Sequence, residues 1–100
     1  MQTISLKLVT IIADEVLEER LIEEIQELGA KGYTIQAARG GSQTGERISE
    51  WEGENIRLEV LASEEVAEKI LNHLSKTYLN KYSMITYITA AEVLRGNKFM

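Results

Sequence analysis

"GYTIQAARGGSQTGERISEWEGENIRLEVL", residues 32–61, begins and ends as strand and is polar between. At its start Tyr33, Ile35 and Ala37 alternate along a short extended segment, and at its end Ile56, Leu58 and Val60 alternate with Arg57 and Glu59. A period of two marks a half-buried strand. The connecting stretch from Arg39 to about Gly53 carries glycines, hydroxyls, charges and a single tryptophan. An interior loop of that length is usually functional or disordered, so the flanking segments have to supply its context.

Upstream, Thr3–Ala13 is apolar and β-branched on both sides, with Ile4, Leu6 and Leu8 on one and Val9 and Ile11 on the other. "DEVLEERLIEEIQELG", residues 14–29, places Leu17, Leu21, Ile25 and Leu28 at helical spacing. Asp14 and Glu15 suit the positive end of that helix, and Gly29 suits its C-cap. Downstream, Ser63 caps a second helix whose stripe is Val66, Ala67, Ile70, Leu71, Leu74 and Tyr78. "YSMITYITA", residues 82–90, reads as a last strand, and Ala91–Arg95 as one further helical turn.

The order βαββαβ predicts an α+β fold, the ferredoxin-like sandwich of an antiparallel sheet with both helices on one face. The second face is expected to carry Val9, Ile11, Ile85 and Tyr87, more apolar surface than water favours. A closed cyclic oligomer is the simplest cover for it, and a monomer with a mixed surface is the alternative.

Composition narrows the function classes. One hundred residues allow one core, and the formal net charge of −5 argues against a nucleic-acid partner. There is no cysteine, so disulfides, thiolate nucleophiles and cysteine zinc sites are excluded, which is compatible with the cytoplasm. No run of 18 apolar residues reads as a membrane span, and "MQTISLKLVTII" reads as a strand rather than a leader.

The loop chemistry points to phosphate without fixing it. Gly40, Gly41 and Gly45 allow backbone amides to turn toward an anion, while Ser42 and Thr44 add hydroxyls and Arg39 and Arg47 add charge. The lysine and following helix of a P-loop are missing, and a strand follows where a dinucleotide fingerprint requires a helix. A hairpin loop without ligand fits the composition equally well. Trp51 is either a partner-binding anchor or a pin for the loop's return. His73, the only histidine, reads as a surface residue, and the glutamates from Glu15 to Glu24 read as a solvated face. No nucleophile–base set or acid/base carboxylate pair is present, so the residues do not support an enzyme.

"GAKGYT" (29–34), "NIRLEVL" (55–61), "YSMITYI" (82–88) and above all "AEVLRGNKF" (91–99) resemble the SbtB family of PII-like signalling proteins. The resemblance spans nearly the whole chain and implies one PII-like domain over residues 1–100. It further implies a PII-like homotrimer that binds adenine nucleotides (cAMP, AMP, ADP or ATP) in clefts between subunits. The stretch at about 39–53 looks like the family's T-loop, which reports the ligand to a partner. That partner is a sodium-dependent bicarbonate transporter, so such proteins are cytoplasmic and meet the membrane only through it. Carried over by position, Gly41, Ser42 and Arg47 match the phosphate grip, and Gly40 lies beside them. Asn55 matches a position near the ligand, and Tyr87 lies where a neighbouring subunit covers the adenine. Arg39 has no sure counterpart but can supply charge.

Three departures qualify the resemblance. The loop is several residues shorter than the typical one, Gln43 stands where the family often has an arginine, and the chain ends at "KFM" without a cysteine-bearing extension. Losing one arginine from a phosphate site removes ~1.5–3 kcal/mol, roughly ten- to a hundredfold in affinity. Rival readings are a carboxysome-type PII-like protein that senses bicarbonate with nucleotide, a CutA-like metal-binding trimer, and a nucleotide hydrolase.

Overall fold

The computed structural model describes residues 2–40 and 54–100. Strand β1 (Ile4–Asp14) leads through a 3-10 turn (Glu15–Leu17) into helix α1 (Glu18–Glu27). Strands β2 (Thr34–Ala38) and β3 (Asn55–Ala62), helix α2 (Glu64–Thr77), strand β4 (Ile85–Val93) and a second 3-10 turn (Gly96–Phe99) follow. The four strands form one antiparallel sheet in the order β2-β3-β1-β4. This is the α+β arrangement expected from the sequence.

Both helices pack on one face of the sheet. Val9, Ile11 and Ala13 of β1 and Ile56, Leu58, Val60 and Ala62 of β3 are buried there. They meet Leu17, Leu21 and Ile25 from the first helical segment and Ala67, Ile70, Leu74 and Tyr78 from the second. The expectation that Val9 and Ile11 lie on the uncovered face is therefore corrected. Both sides of β1 are apolar, so alternation left its orientation open. The cross-strand pairs Val9↔Val60 and Ile11↔Leu58 put these residues under the helices. The uncovered face instead carries Leu8, Thr10 and Ile12 of β1 beside Ile85 and Tyr87 of β4, by the period of two.

Local signals set the element ends. The Asp14 carboxylate accepts the Val16 N–H at 2.9 Å, capping the first turn. Gly29, at φ +117°, closes α1 while the Ala30 N–H reaches back to the Ile25 carbonyl at 2.9 Å. The Ser63 hydroxyl accepts the Val66 N–H at the start of α2. The last strand differs from expectation at both ends. Tyr82 closes a turn, its N–H bonded to the Tyr78 carbonyl, and the strand begins only at Ile85. Ala91 and Val93 remain in it because β1 extends far enough to pair them with Leu6 and Ile4. The helical turn expected at Ala91–Arg95 accordingly falls later, at Gly96–Phe99.

A polar cluster ties the two helices together. Tyr78 is fully buried, and its hydroxyl donates to Glu24 Oε1 at 2.5 Å. His73 Nε2 lies 2.9 Å from the same oxygen, Thr77 Oγ1 lies 3.4 Å from His73 Nδ1, and the Arg20 guanidinium stands 5.1 Å from the Tyr78 ring centre. His73 is thus a half-buried bridge rather than a plain surface histidine, and Glu24 is no idle member of a solvated acidic face. Burial acts to raise the Glu24 carboxyl pKa, but hydrogen bonds from Tyr78 and His73 outweigh it and hold it below the ordinary value. Burial first, and the bond to Glu24 second, push the Tyr78 hydroxyl up to about 12.

Native Glu24 takes up its proton less readily than in the unfolded chain, so its contribution is present above the ordinary carboxylate range and fades as pH falls through the lowered native value. Tyr78→Phe is expected to cost about 1–2 kcal/mol at neutral pH and to make the acid limb of stability shallower, as read by urea unfolding between about pH 3 and 7.

Candidate functional site

The face that the helices leave open has two distinct ends. At one end β2 runs out at Ala38 and β3 begins at Asn55, with Ala38↔Asn55 and Asp14↔Asn55 in register. The Glu15 N–H donates to the Glu54 carbonyl at 2.9 Å, which fastens the returning chain to the 3-10 turn after β1. Arg39 and Gly40 follow β2 and are exposed. Gly40 has an ordinary φ, and an added Cβ there meets nothing within 4 Å, so the fold itself does not demand glycine at this position. Asn55 Oδ1 is buried and finds no hydrogen-bond partner among the described residues, so it is an unused acceptor at the loop base. Tyr87, 41% exposed, stands opposite Thr10 on the same face, whose own hydroxyl is likewise unpartnered among the described residues. Arg39, Gly40 and Asn55 are thus placed at one end of the sheet, Tyr87 lies in the row of Thr10, Glu59 and Thr34, four residues away along the strands, and Gly41, Ser42, Arg47 and Trp51 lie outside the described residues.

At the other end lies a cavity of about 540 Å³. Its floor is Leu8 and Leu61, its sides are Ala91, Val93 and the segment Gly32–Thr34, and Glu59 and Phe99 complete it. The size is that of a small-molecule pocket, with an apolar lining and a single carboxylate. Arg57 holds that carboxylate through Nε at 3.3 Å and an η nitrogen at 3.1 Å, both to Glu59 Oε2, and among the described residues no hydrogen bond reaches Oε1. Thr34 and Ala38 are four residues apart on β2, as are Asn55 and Glu59 on β3, so the two ends are separated by about 13 Å.

Sequence reading does not identify the cavity. "GYT" and "AEVLRGNKF" stand out there only as signs of resemblance. A direct signal exists in the period-two positions of the open face, where Leu8, Glu59 and Leu61 fall together once the register is known. The involvement of Phe99 depends on a turn of the chain that periodicity does not encode.

The family description "Nitrogen regulatory protein P-II" matches residues 6–98, and the chain belongs to this family of signalling proteins. A PII-like signalling protein of Thermus thermophilus is 49% identical, with 100% of each chain covered and a TM-score of 0.87. CPII of Thiomonas intermedia, solved with ADP, AMP and bicarbonate, is 21% identical and reaches a TM-score of 0.85 over 98% of this chain and 96% of its own. The GlnK–ATP complex of B. subtilis is 12% identical, with a TM-score of 0.65 over 87% and 82% of the two chains. These last two share the fold.

The C-terminal turn that carries Phe99 is held by a close approach. A Cβ on Gly96 falls 2.8 Å from Ile4 Cβ, an atom fixed to the backbone of β1. Gly96→Ala is therefore expected to displace the turn and cost about 1–3 kcal/mol, which thermal unfolding beside Gly40→Ala, expected to be near neutral, will show.

Proposed function

We propose that this chain is a non-catalytic, trimeric sensor of adenine nucleotides of the SbtB type, which regulates a sodium-dependent bicarbonate transporter and with it inorganic carbon uptake. The observation that carries this reading is the division of the open face into two unlike half-sites. One is the loop base, with Arg39, Asn55 and the segment bearing Gly41, Ser42 and Arg47. It offers the cations and donors that a phosphate needs. The other is the apolar cavity with the Glu59 carboxylate, whose Oε1 has no partner among the described residues, and it suits a flat base bearing an amine. Arg57 stands between the two on β3, and Tyr87 lies level with Glu59, so the two half-sites of one chain are set apart along the strands. A three-fold arrangement that brings the loop base of one chain to the cavity of the next completes the site and covers Ile85 and Tyr87 together.

Membership of the PII family supports signalling over catalysis. The ADP and AMP in CPII and the ATP in GlnK support adenine nucleotides as the ligand class. Occupation of a cleft between chains stabilises the trimer by linkage, and contacts from the phosphate bias the loop toward one arrangement that a partner can read. The protein acts in the cytoplasm and reaches the membrane through the transporter. Among the described residues no helix is long and apolar enough to cross a membrane.

Calorimetric titration with cAMP, AMP, ADP and ATP, beside light scattering for mass, tests the reading. Micromolar binding of at least one nucleotide to a trimer is expected. Arg47→Ala is expected to weaken it roughly ten- to a hundredfold with the mass unchanged. A folded trimer that gives no heat with any of the four overturns the nucleotide reading. Affinity that appears only with added bicarbonate, the companion of nucleotide in CPII, selects the carboxysome-type function instead.

A further inference from the structure

Phe99 is a large aromatic residue that lines a cavity instead of filling it. Three features of the backbone put it there. Arg95 adopts the left-handed conformation at φ 58°, which turns the chain back after β4. Gly96 is buried against Ile4 and Leu6, where no side chain fits. The Lys98 N–H then donates to the Arg95 carbonyl at 3.1 Å and closes the turn. The result is a ring edge 3.5 Å from the position of a Cβ on Gly32, so the ring lies against bare backbone. A non-glycine residue with positive φ costs of order 1 kcal/mol or more and persists only where the surroundings impose it. A turn built merely to cover Leu6 has no need to carry an aromatic ring onward to the mouth of a pocket.

We propose that Phe99 is the aromatic wall on which the base of the nucleotide stacks, and that the Arg95–Gly96 turn is the device that positions it. The inference rests on the nucleotide reading above and adds the element that recognises the base. The ring supplies a stacking surface, Leu8 and Leu61 supply the apolar floor, and Glu59 Oε1 supplies an acceptor at the rim. Stacking on an aromatic face is available to every base, so Phe99 contributes affinity, and discrimination between an amine and a carbonyl on the base falls to Glu59. Arg57, which holds the other Glu59 oxygen, is a positioning residue for that choice.

The test is an aromatic series at one position. AMP is titrated by calorimetry into the wild-type protein and into Phe99→Trp, Phe99→Leu and Phe99→Ala, with circular dichroism and light scattering as checks on fold and mass. Phe99→Leu keeps most of the apolar bulk and removes the π face. It is expected to weaken AMP roughly tenfold, the scale of one lost stack, while Phe99→Trp binds at least as well as wild type. Phe99→Leu with wild-type affinity overturns the wall, and so does a tryptophan variant that is folded and as weak as leucine. Absence of AMP binding to the wild-type protein removes the wall too, and separates that failure, which lies in the ligand reading, from a failure of Phe99 itself. The second arm compares AMP with IMP, which replaces the amine by a carbonyl. Wild type is expected to favour AMP, and Arg57→Met to lose most of that preference with little change in IMP affinity. An unchanged AMP-to-IMP ratio in Arg57→Met overturns the positioning role.

Discussion

The register of β1 between β3 and β4 is the constraint on which the rest of the structure depends. The pairs Val9↔Val60 and Ile11↔Leu58 put apolar side chains of two neighbouring strands on one face, where both helices cover them. Side chains alternate strictly along a strand, so this choice also fixes what the opposite face shows. Leu8, Thr10 and Ile12 go outward together with Glu59, Leu61, Ile85 and Tyr87. A slip of one residue would either bury Arg57 and Glu59 under the helices or place Val9 and Ile11 in the open, since cross-strand partners share a face. The half-sites exist because the core does not permit that slip.

The covered side is closed by packing and by one group of polar contacts. Glu24 receives the Tyr78 hydroxyl and lies within hydrogen-bond distance of His73, so a carboxylate at the seam between α1 and α2 is satisfied rather than stranded. It fixes how the two helices sit against each other, and through them the sheet. The open side is held differently. Its C-terminal turn rests on glycine contacts with Ile4 and Leu6, and Phe99 leans on the backbone at Gly32. One side is a finished interior, while the other ends in a cavity and in apolar residues that remain partly in water, among them Ile85 at 47% exposure.

That asymmetry accounts for the division of labour proposed for the protein. A helix-backed sheet can present two half-sites at a fixed separation, with the loop base at one end and the cavity at the other. In the proposed function, recognition of the base falls to the sheet and its cavity, and reporting to a partner falls to the loop. The two are joined at Asn55, where β3 starts and the loop ends.

Much of this was legible in the residues. The spacing of Leu17, Leu21 and Ile25, the stripe from Ala67 to Tyr78, the caps at Asp14, Gly29 and Ser63 and the alternation of β3 each follow from local chemistry, and together they determine the order of elements and the fold class. Loop chemistry offered Arg39, Gly40, Gly41, Ser42 and Arg47 as candidates and family resemblance added Asn55 and Tyr87, and of these Arg39, Gly40, Asn55 and Tyr87 fall on the described face or at its end. Which face of β1 meets the helices was not legible, because Leu6 and Leu8 are as apolar as Val9 and Ile11 and only long-range pairing separates them. Nor were the bridge from His73 to Glu24, 49 residues apart, and the cavity between Gly32, Glu59 and Phe99. Sequence by itself determined the elements, since helix and strand periods are local properties. Tertiary structure alone decided the faces and the cavity, since those depend on which distant residues a register brings side by side.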